Sequence, residues 1–227
     1  MDRQAKLKDN LRILIEEIEK ERLKYSPHQI IRLVAVSKYV SIDDIKALYD
    51  AGHRTFGENK IQDLKEKSST LANLPIEWHM IGTLQKNKIN QLISLKPSMV
   101  QSLDSIELAK ALQTRLEKEN MVLKCLLQIN SSGEYTKSGF NTEVAIESYK
   151  EILQIAPNIK LQGIMTIAAN TDDKKIIESC FKKAKDIFDG LQDCGAKILS
   201  CGMSGDYKIA IANGANMLRI GSSIFKR

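Results

Sequence analysis

The chain has 227 residues, 43% hydrophobic and 27% charged, with 34 basic against 28 acidic side chains and a formal net charge of +6. That is the composition of a soluble globular protein with one well-buried core, and no apolar stretch approaches the length of a membrane span. The basic excess is spread through helix-like segments beside Glu and Asp, and aromatics are only 5%, whereas a nucleic-acid binder gathers its charge into a stripe interleaved with aromatics.

Leu7, Leu11, Leu14, Ile15 and Ile18 recur at helical spacing, with Glu16, Glu17 and Lys20 off that face. The first 25 residues therefore read as an amphipathic helix that ends before Ser26-Pro27 and packs on the remainder of the fold. Beyond it, strands alternate with helices. Strands are expected at 33–37, 54–57, 77–82, 99–103, 122–129, 161–167, 198–203 and 216–220. Helical patterns fall near 43–51, 60–71, 86–95, 105–120, 142–155, 174–194 and 206–213. Eight such alternations predict an α/β fold, a single (β/α)8 TIM-type barrel with an extra N-terminal helix, forming one domain over residues 1–227. Pro27, Pro75, Pro97 and Pro157 stand shortly before strands, where no ladder hydrogen bond is yet needed.

Cys125, Cys180, Cys194 and Cys201 form no C-x-x-C pair, and His28, His53 and His79 are scattered. Free thiols in a reducing compartment are the expectation, with no His-based metal site. A charged N-terminal helix in place of a signal peptide points to the cytoplasm.

In barrels of this type chemistry sits where strands end. Lys38 closes the run Leu33-Val34-Ala35-Val36-Ser37-Lys38, and alternation puts it on the face of Val34 and Val36. Over a hydrophobic floor the neutral, nucleophilic amine is favoured; the other reading is a lysine that snorkels to solvent. Ser204 reads as the N-cap of a helix over 206–213 that Gly214 terminates, and a helix start after the seventh strand is also where barrels hold phosphate. Gly221-Ser222-Ser223 repeats that Gly/Ser signal after the eighth strand.

Arg219 points to the pocket or forms a structural salt bridge, with Asp206 or Glu58 as partner. Asn59 bonds a ligand or caps the next helix. His79, beside Trp78, reads as a satisfied core histidine. Glu134 and Lys137, on a long rim loop, form a lid or a solvated turn. An amine at one strand end and phosphate turns at two others suggest a phosphorylated aldehyde held as a Schiff base.

Several segments, in order along nearly the whole chain, resemble one family. They are Val34-Ala35-Val36-Ser37-Lys38, Phe56-Gly57-Glu58-Asn59, Trp78-His79-Met80-Ile81-Gly82-Thr83-Leu84-Gln85-Lys86-Asn87-Lys88, Lys137-Ser138-Gly139-Phe140, Gly202-Met203-Ser204-Gly205-Asp206 and Arg219-Ile220-Gly221-Ser222-Ser223-Ile224-Phe225. The pattern resembles the YggS/PROSC family of pyridoxal phosphate homeostasis proteins. The resemblance implies a barrel like the N-terminal domain of alanine racemase, with pyridoxal 5'-phosphate (PLP) on Lys38. It further implies that Ser204, Gly221 and Ser222 hold the phosphate, that Arg219 faces the pyridine nitrogen, and that Asn59 lies near the ring.

Three functions compete on these residues: a PLP carrier without substantial turnover, a weak fold-type III amino-acid racemase, and a basic nucleic-acid binder. Racemases of that type close the site with a second domain and an opposing tyrosine, and none of the six tyrosines here stands at an obvious strand end. The carrier is the preferred reading. It brings PLP-dependent apo-enzymes as partners, no nucleic acid or membrane, and a monomeric state.

Overall fold

The computed structural model describes residues 2–226. Helix α1 (Arg3–Arg22) precedes β1 (Arg32–Val36), α2 (Ile42–Asp50), β2 (Thr55–Glu58), α3 (Ile61–Thr70), β3 (Glu77–Met80), α4 (Ile89–Leu95), β4 (Met99–Leu103) and α5 (Ile106–Lys118). The chain continues through β5 (Leu123–Asn130), β6 (Phe140–Asn141), α6 (Ala145–Ile155), β7 (Ile159–Thr166), α7 (Lys174–Asp189), β8 (Ile198–Ser200), α8 (Tyr207–Ala212), β9 (Met217–Ile220) and α9 (Ser222–Phe225). The strand order is β4-β3-β2-β1-β9-β8-β7-β5, and β4 also pairs with β5. Eight parallel strands thus close into the expected (β/α)8 barrel, while the short β6 only extends the end of β5.

Alternation along each strand separates two apolar layers. Inward-facing Val34, Met99, Leu126, Met165, Ile198 and Met217, from six strands, form a plug inside the barrel. Outward-facing residues such as Ala35, Phe56, Val100, Leu127, Ile164 and Leu218 join the larger core beneath the helices. Fully burying each of the larger side chains contributes roughly 1.5–3 kcal/mol. Helices start where the sequence supplies caps: Ser41 accepts from the Asp44 N–H and Ser105 from the Leu108 N–H.

Helix α1 packs on α2, α8 and α9, at the side of the barrel where its last strand meets its first. Its buried face is Leu7, Leu11, Leu14 and Ile18; Ile15, expected on that face, is 45% exposed. One helical step of about 100° past Leu14 carries Ile15 off the stripe. Elsewhere the long pattern over 174–194 divides into α7 and a 3-10 turn at Gln192–Cys194.

Candidate functional site

The amine end comes first. The Ser37 N–H donates to Gly57 O at 3.0 Å, which holds the end of β1 against β2. Val34 lies in the barrel plug, and Lys38 shares its face by parity. Lys38 itself is exposed, so the expected shelter is corrected in favour of the snorkelling alternative. The reason is local: the strand ends at Val36, one residue sooner than expected, and the lysine leaves the ladder at the mouth. Tyr39, next along, stands on the same rim with φ +63° and 81% exposure. That corrects the expectation of no tyrosine at a strand end. Its ring lies 5.9 Å from Lys60 Nζ, at the N-cap position of α3.

Behind Lys38, on the outward side of the sheet, is a knot that sequence reasoning missed. Glu58 Oε1 accepts from Ser37 Oγ (2.6 Å) and from Lys67 Nζ (2.8 Å), and Lys67 also donates to Ser37 O (2.7 Å). All three residues are buried. Burial pushes the Glu58 carboxyl up, and the bonds from Lys67 and Ser37 oppose that rise. Lys67 thereby ties the carboxyl ends of β1 and β2 together, one residue before Lys38 on one strand and one residue before Asn59 on the other. A lysine on an amphipathic helix gives no hint of this in the sequence.

Asn59 does not cap α3, whose N-cap position is Lys60 with no side-chain bond. Its Oδ1 is buried without a hydrogen-bond partner. Such an acceptor costs about 1–3 kcal/mol unless a ligand serves it. Gly82 presses on the same residue: a Cβ there would fall 2.1 Å from Asn59 O, which only glycine avoids.

Arg219 is 4% exposed inside the barrel, next to β1 by the register Val34↔Arg219. Its Nη1 donates to Ser200 Oγ (2.7 Å) and its Nη2 to Thr166 O (2.8 Å). Neither suggested salt-bridge partner holds it, because Glu58 pairs with Lys67 and Asp206 accepts from the Met203 N–H. Burial lowers the Arg219 pKa from its ordinary value, with Cys201 and Asp206 opposing the change. The result is a guanidinium inside the barrel with no carboxylate bonded to it. His79 is buried as expected, its Nδ1 2.9 Å from Gln101 Nε2, and burial beside Arg32 and Lys124 holds its pKa at about 4.

The third part is the pair of Gly/Ser turns. After β8 the chain reverses at Gly202 (φ +94°), where a Cβ would fall 2.7 Å from Ala210 Cβ. Ser204 is not the cap of α8, a correction to the expected role: the cap position is Asp206, and α8 begins at Tyr207. Ser204 Oγ instead accepts from the Ser223 N–H at 3.1 Å, which fastens the turn after β8 to the turn after β9. Gly214 (φ +82°) stands after α8 as its stop.

Ser204, Gly205, Ser222 and Ser223 line an open cavity of about 730 Å³, with Lys174 and Lys226 also on its wall. Nothing lies within 4 Å of where a Gly205 Cβ would be, so the backbone there is open to a ligand. Asn10 Nδ2, on α1, donates to Ile224 O at 2.9 Å and braces α9 from behind. Short α9 and this brace were not read from the sequence.

On the rim, Lys137 Nζ donates to Glu134 Oε1 and to Ala168 O, both at 2.8 Å. The loop is therefore tied across to the segment after β7.

The site thus collects Lys38 and Asn59 at adjoining strand ends, Arg219 within, and Ser204, Gly221 and Ser222 at joined turns. Its unserved buried acceptor, carboxylate-free buried cation and open Gly/Ser backbone fit a phosphorylated heteroaromatic ligand.

The family model described as alanine racemase, N-terminal domain, matches residues 7–227. A pyridoxal phosphate homeostasis protein of Helicobacter pylori is 51% identical over 213 residues, covering 94% of this chain and 95% of that one. The chain belongs to the pyridoxal phosphate homeostasis protein family. Another member, from Aquifex aeolicus, is 36% identical and covers 86% of each chain. The structure of PipY from Synechococcus elongatus, with PLP bound, superposes with a TM-score of 0.83 at 28% identity, covering 96% of this chain and 99% of that one. In this family member, no described helix is long and apolar enough to cross a membrane.

Proposed function

We propose that this protein binds PLP at the barrel mouth, holds it covalently through the Lys38 amine, and serves intracellular PLP homeostasis without substantial turnover. The observation that carries the reading is Arg219: a buried guanidinium with no bonded carboxylate, beside β1 and two residues before Gly221-Ser222. The homeostasis proteins similar to this chain and the PLP-bound PipY structure support the same ligand. Bound there, PLP supplies an aldehyde to the lysine amine and an electron-withdrawing ring.

The chain's own residues do the rest. Ser204, Gly221 and Ser222 hold the phosphate, with the open backbone at Gly205 giving close approach. Asn59 serves the ring periphery through its buried acceptor. Arg219 donates towards the pyridine nitrogen and, because arginine keeps its proton, leaves that nitrogen unprotonated. A ring in that state is a weaker electron sink, which suits holding a cofactor over turning over amino acids. Lys38, exposed at the mouth, is placed for loading and release. The reading takes the chain as one barrel domain, a cytoplasmic monomer that delivers PLP to apo-enzymes.

The test is reductive trapping. Protein saturated with PLP and treated with borohydride yields one pyridoxyl-labelled peptide, the one containing Lys38, and Lys38→Ala loses both the label and the visible absorbance. A Lys38→Ala protein with an unchanged spectrum overturns the covalent site. Robust exchange of the α-proton of any amino acid overturns the carrier role in favour of a racemase.

A further inference from the structure

Inside the barrel, four polar side chains from four strands form a single directed chain. Arg219 Nη1 on β9 donates to Ser200 Oγ on β8 at 2.7 Å. The Ser200 hydroxyl donates in turn to Gln101 Oε1 on β4, also at 2.7 Å. Gln101 Nε2 meets His79 Nδ1 on β3 at 2.9 Å. None of the four residues is more than 4% exposed. Since β4 and β8 are not neighbours in the sheet, the Ser200–Gln101 bond spans the barrel interior rather than a ladder.

Every bond direction is set by the one before it. A guanidinium only donates, so Ser200 must accept from it and send its own hydrogen onward. Gln101 Oε1 takes that hydrogen, which turns the amide N–H groups of Gln101 towards His79 Nδ1. A neutral imidazole supplies the lone pair that ends the chain. The same amide nitrogen of Gln101 also donates to Met217 Sδ at 3.4 Å. The proposed function assigns no task to Gln101, Ser200 or His79, yet burying this much polar surface is costly unless every bond is made.

We infer that Gln101 and Ser200 are positioning residues that aim the Arg219 guanidinium, with His79 as the acceptor that fixes the direction of the chain. What they confer is selectivity for a ring carrying a nitrogen acceptor at that point. The inference rests on the PLP reading of the site. Thr166 O fixes one arm of the guanidinium and the relay fixes the other. Without Gln101 the Ser200 hydrogen is no longer held away from Arg219 and its lone pairs are no longer aimed at the guanidinium, so the second anchor weakens.

The experiment compares two ligands on the full chain: PLP, and its 1-deaza analogue, in which C–H replaces the ring nitrogen. Both carry the aldehyde and the phosphate. Dissociation constants are read by absorbance titration. Wild type favours PLP by about tenfold or more, as expected for a hydrogen bond from a charged donor. Gln101→Leu and Ser200→Ala bring that ratio to within about threefold and leave the affinity for the deaza analogue nearly unchanged. His79→Phe lowers the ratio by a smaller factor. A general loosening of the barrel weakens both ligands together and keeps their ratio. If Gln101→Leu does not fold, Ser200→Ala, which loses one hydroxyl, carries the test.

An unchanged ratio in folded Ser200→Ala overturns the inference. So does a wild-type protein that binds both ligands equally. Failure of the underlying reading looks different: borohydride then leaves Lys38 of the wild-type protein unlabelled with either ligand.

Discussion

The two ends of the candidate site are built on opposite plans. At the amine end the proposed reactive group, Lys38, is exposed beside an exposed tyrosine in a left-handed conformation, and the rigidity lies behind it, in the buried Glu58–Lys67–Ser37 knot. At the phosphate end the binding surface itself is fixed: Ser204 joins the two turns and Asn10 of α1 braces α9. The difference reflects what each end uses. Backbone N–H groups stabilise an anion only if they are already aligned, because they cannot swing into place. A lysine amine reaches its target on a flexible stem, so only its point of attachment needs to be held.

The largest effect comes from breaking the amine end's anchor. Lys67→Met leaves the Glu58 carboxylate buried without its cation and destabilises the protein by about 3–5 kcal/mol, read from urea unfolding. Adding Glu58→Leu restores most of that loss. If Lys67→Met costs under about 1 kcal/mol, far below the usual cost of stranding a buried charge, the knot is not what secures β1 to β2.

A second contrast is one of pH. The folded pKa of His79, about 4, lies below the ordinary 6.5, so the native state binds fewer protons than the unfolded one. The stability it contributes is present above pH 6.5 and is lost as pH falls through 4, about 3 kcal/mol in all. The raised carboxyl of Glu58 acts in the other sense, its contribution being lost as pH rises through its folded value. Subtracting the stability profile of His79→Phe from that of wild type isolates the histidine, and a flat difference between pH 6.5 and 4 would exclude its buried neutral state.

Smaller again is the brace at the phosphate end. Asn10→Ala removes a buried bond to Ile224 O, costs about 1–3 kcal/mol, and weakens PLP binding several-fold. Borohydride labelling of Lys38 by pyridoxal, which has no phosphate, stays at the wild-type level. Equal losses with both aldehydes would mean that α1 supports the whole barrel and not this end of the site. The smallest effect is Tyr39→Gly. Relief of the left-handed strain offsets the extra entropy of glycine in the unfolded chain, so stability changes by less than about 1 kcal/mol in thermal unfolding.

Much of this architecture was legible in the chain. Strand-then-helix alternation marked eight barrel strands, with 99–103 at its observed bounds and most others within a few residues, since period-2 and period-3.6 patterns are local properties. Parity set Lys38 on the face of Val34 and Val36, which the fold turns into the barrel interior, and the Gly/Ser motifs marked the two turns. The residues missed are those whose meaning depends on a partner far away in sequence. Lys67 looks like any helix-surface lysine until the fold sets it against Glu58. Ser200 and Gln101 look like ordinary polar strand residues, although they meet across the barrel 99 positions apart. Ser204 has the local signature of a cap and bonds to Ser223 instead.

What the sequence determined by itself was the alternation, the buried stripe of α1 apart from Ile15, and the residue types gathered at strand ends, because side-chain chemistry and backbone periodicity act over a few positions. Closure of the barrel alone decided that α1 lies against α2, α8 and α9, and that Arg219 is held by a hydroxyl and a carbonyl in place of a carboxylate. Those outcomes depend on which distant strands become neighbours or face one another across the interior, and hydrogen bonds are directional contacts made only once the atoms are within about 3 Å.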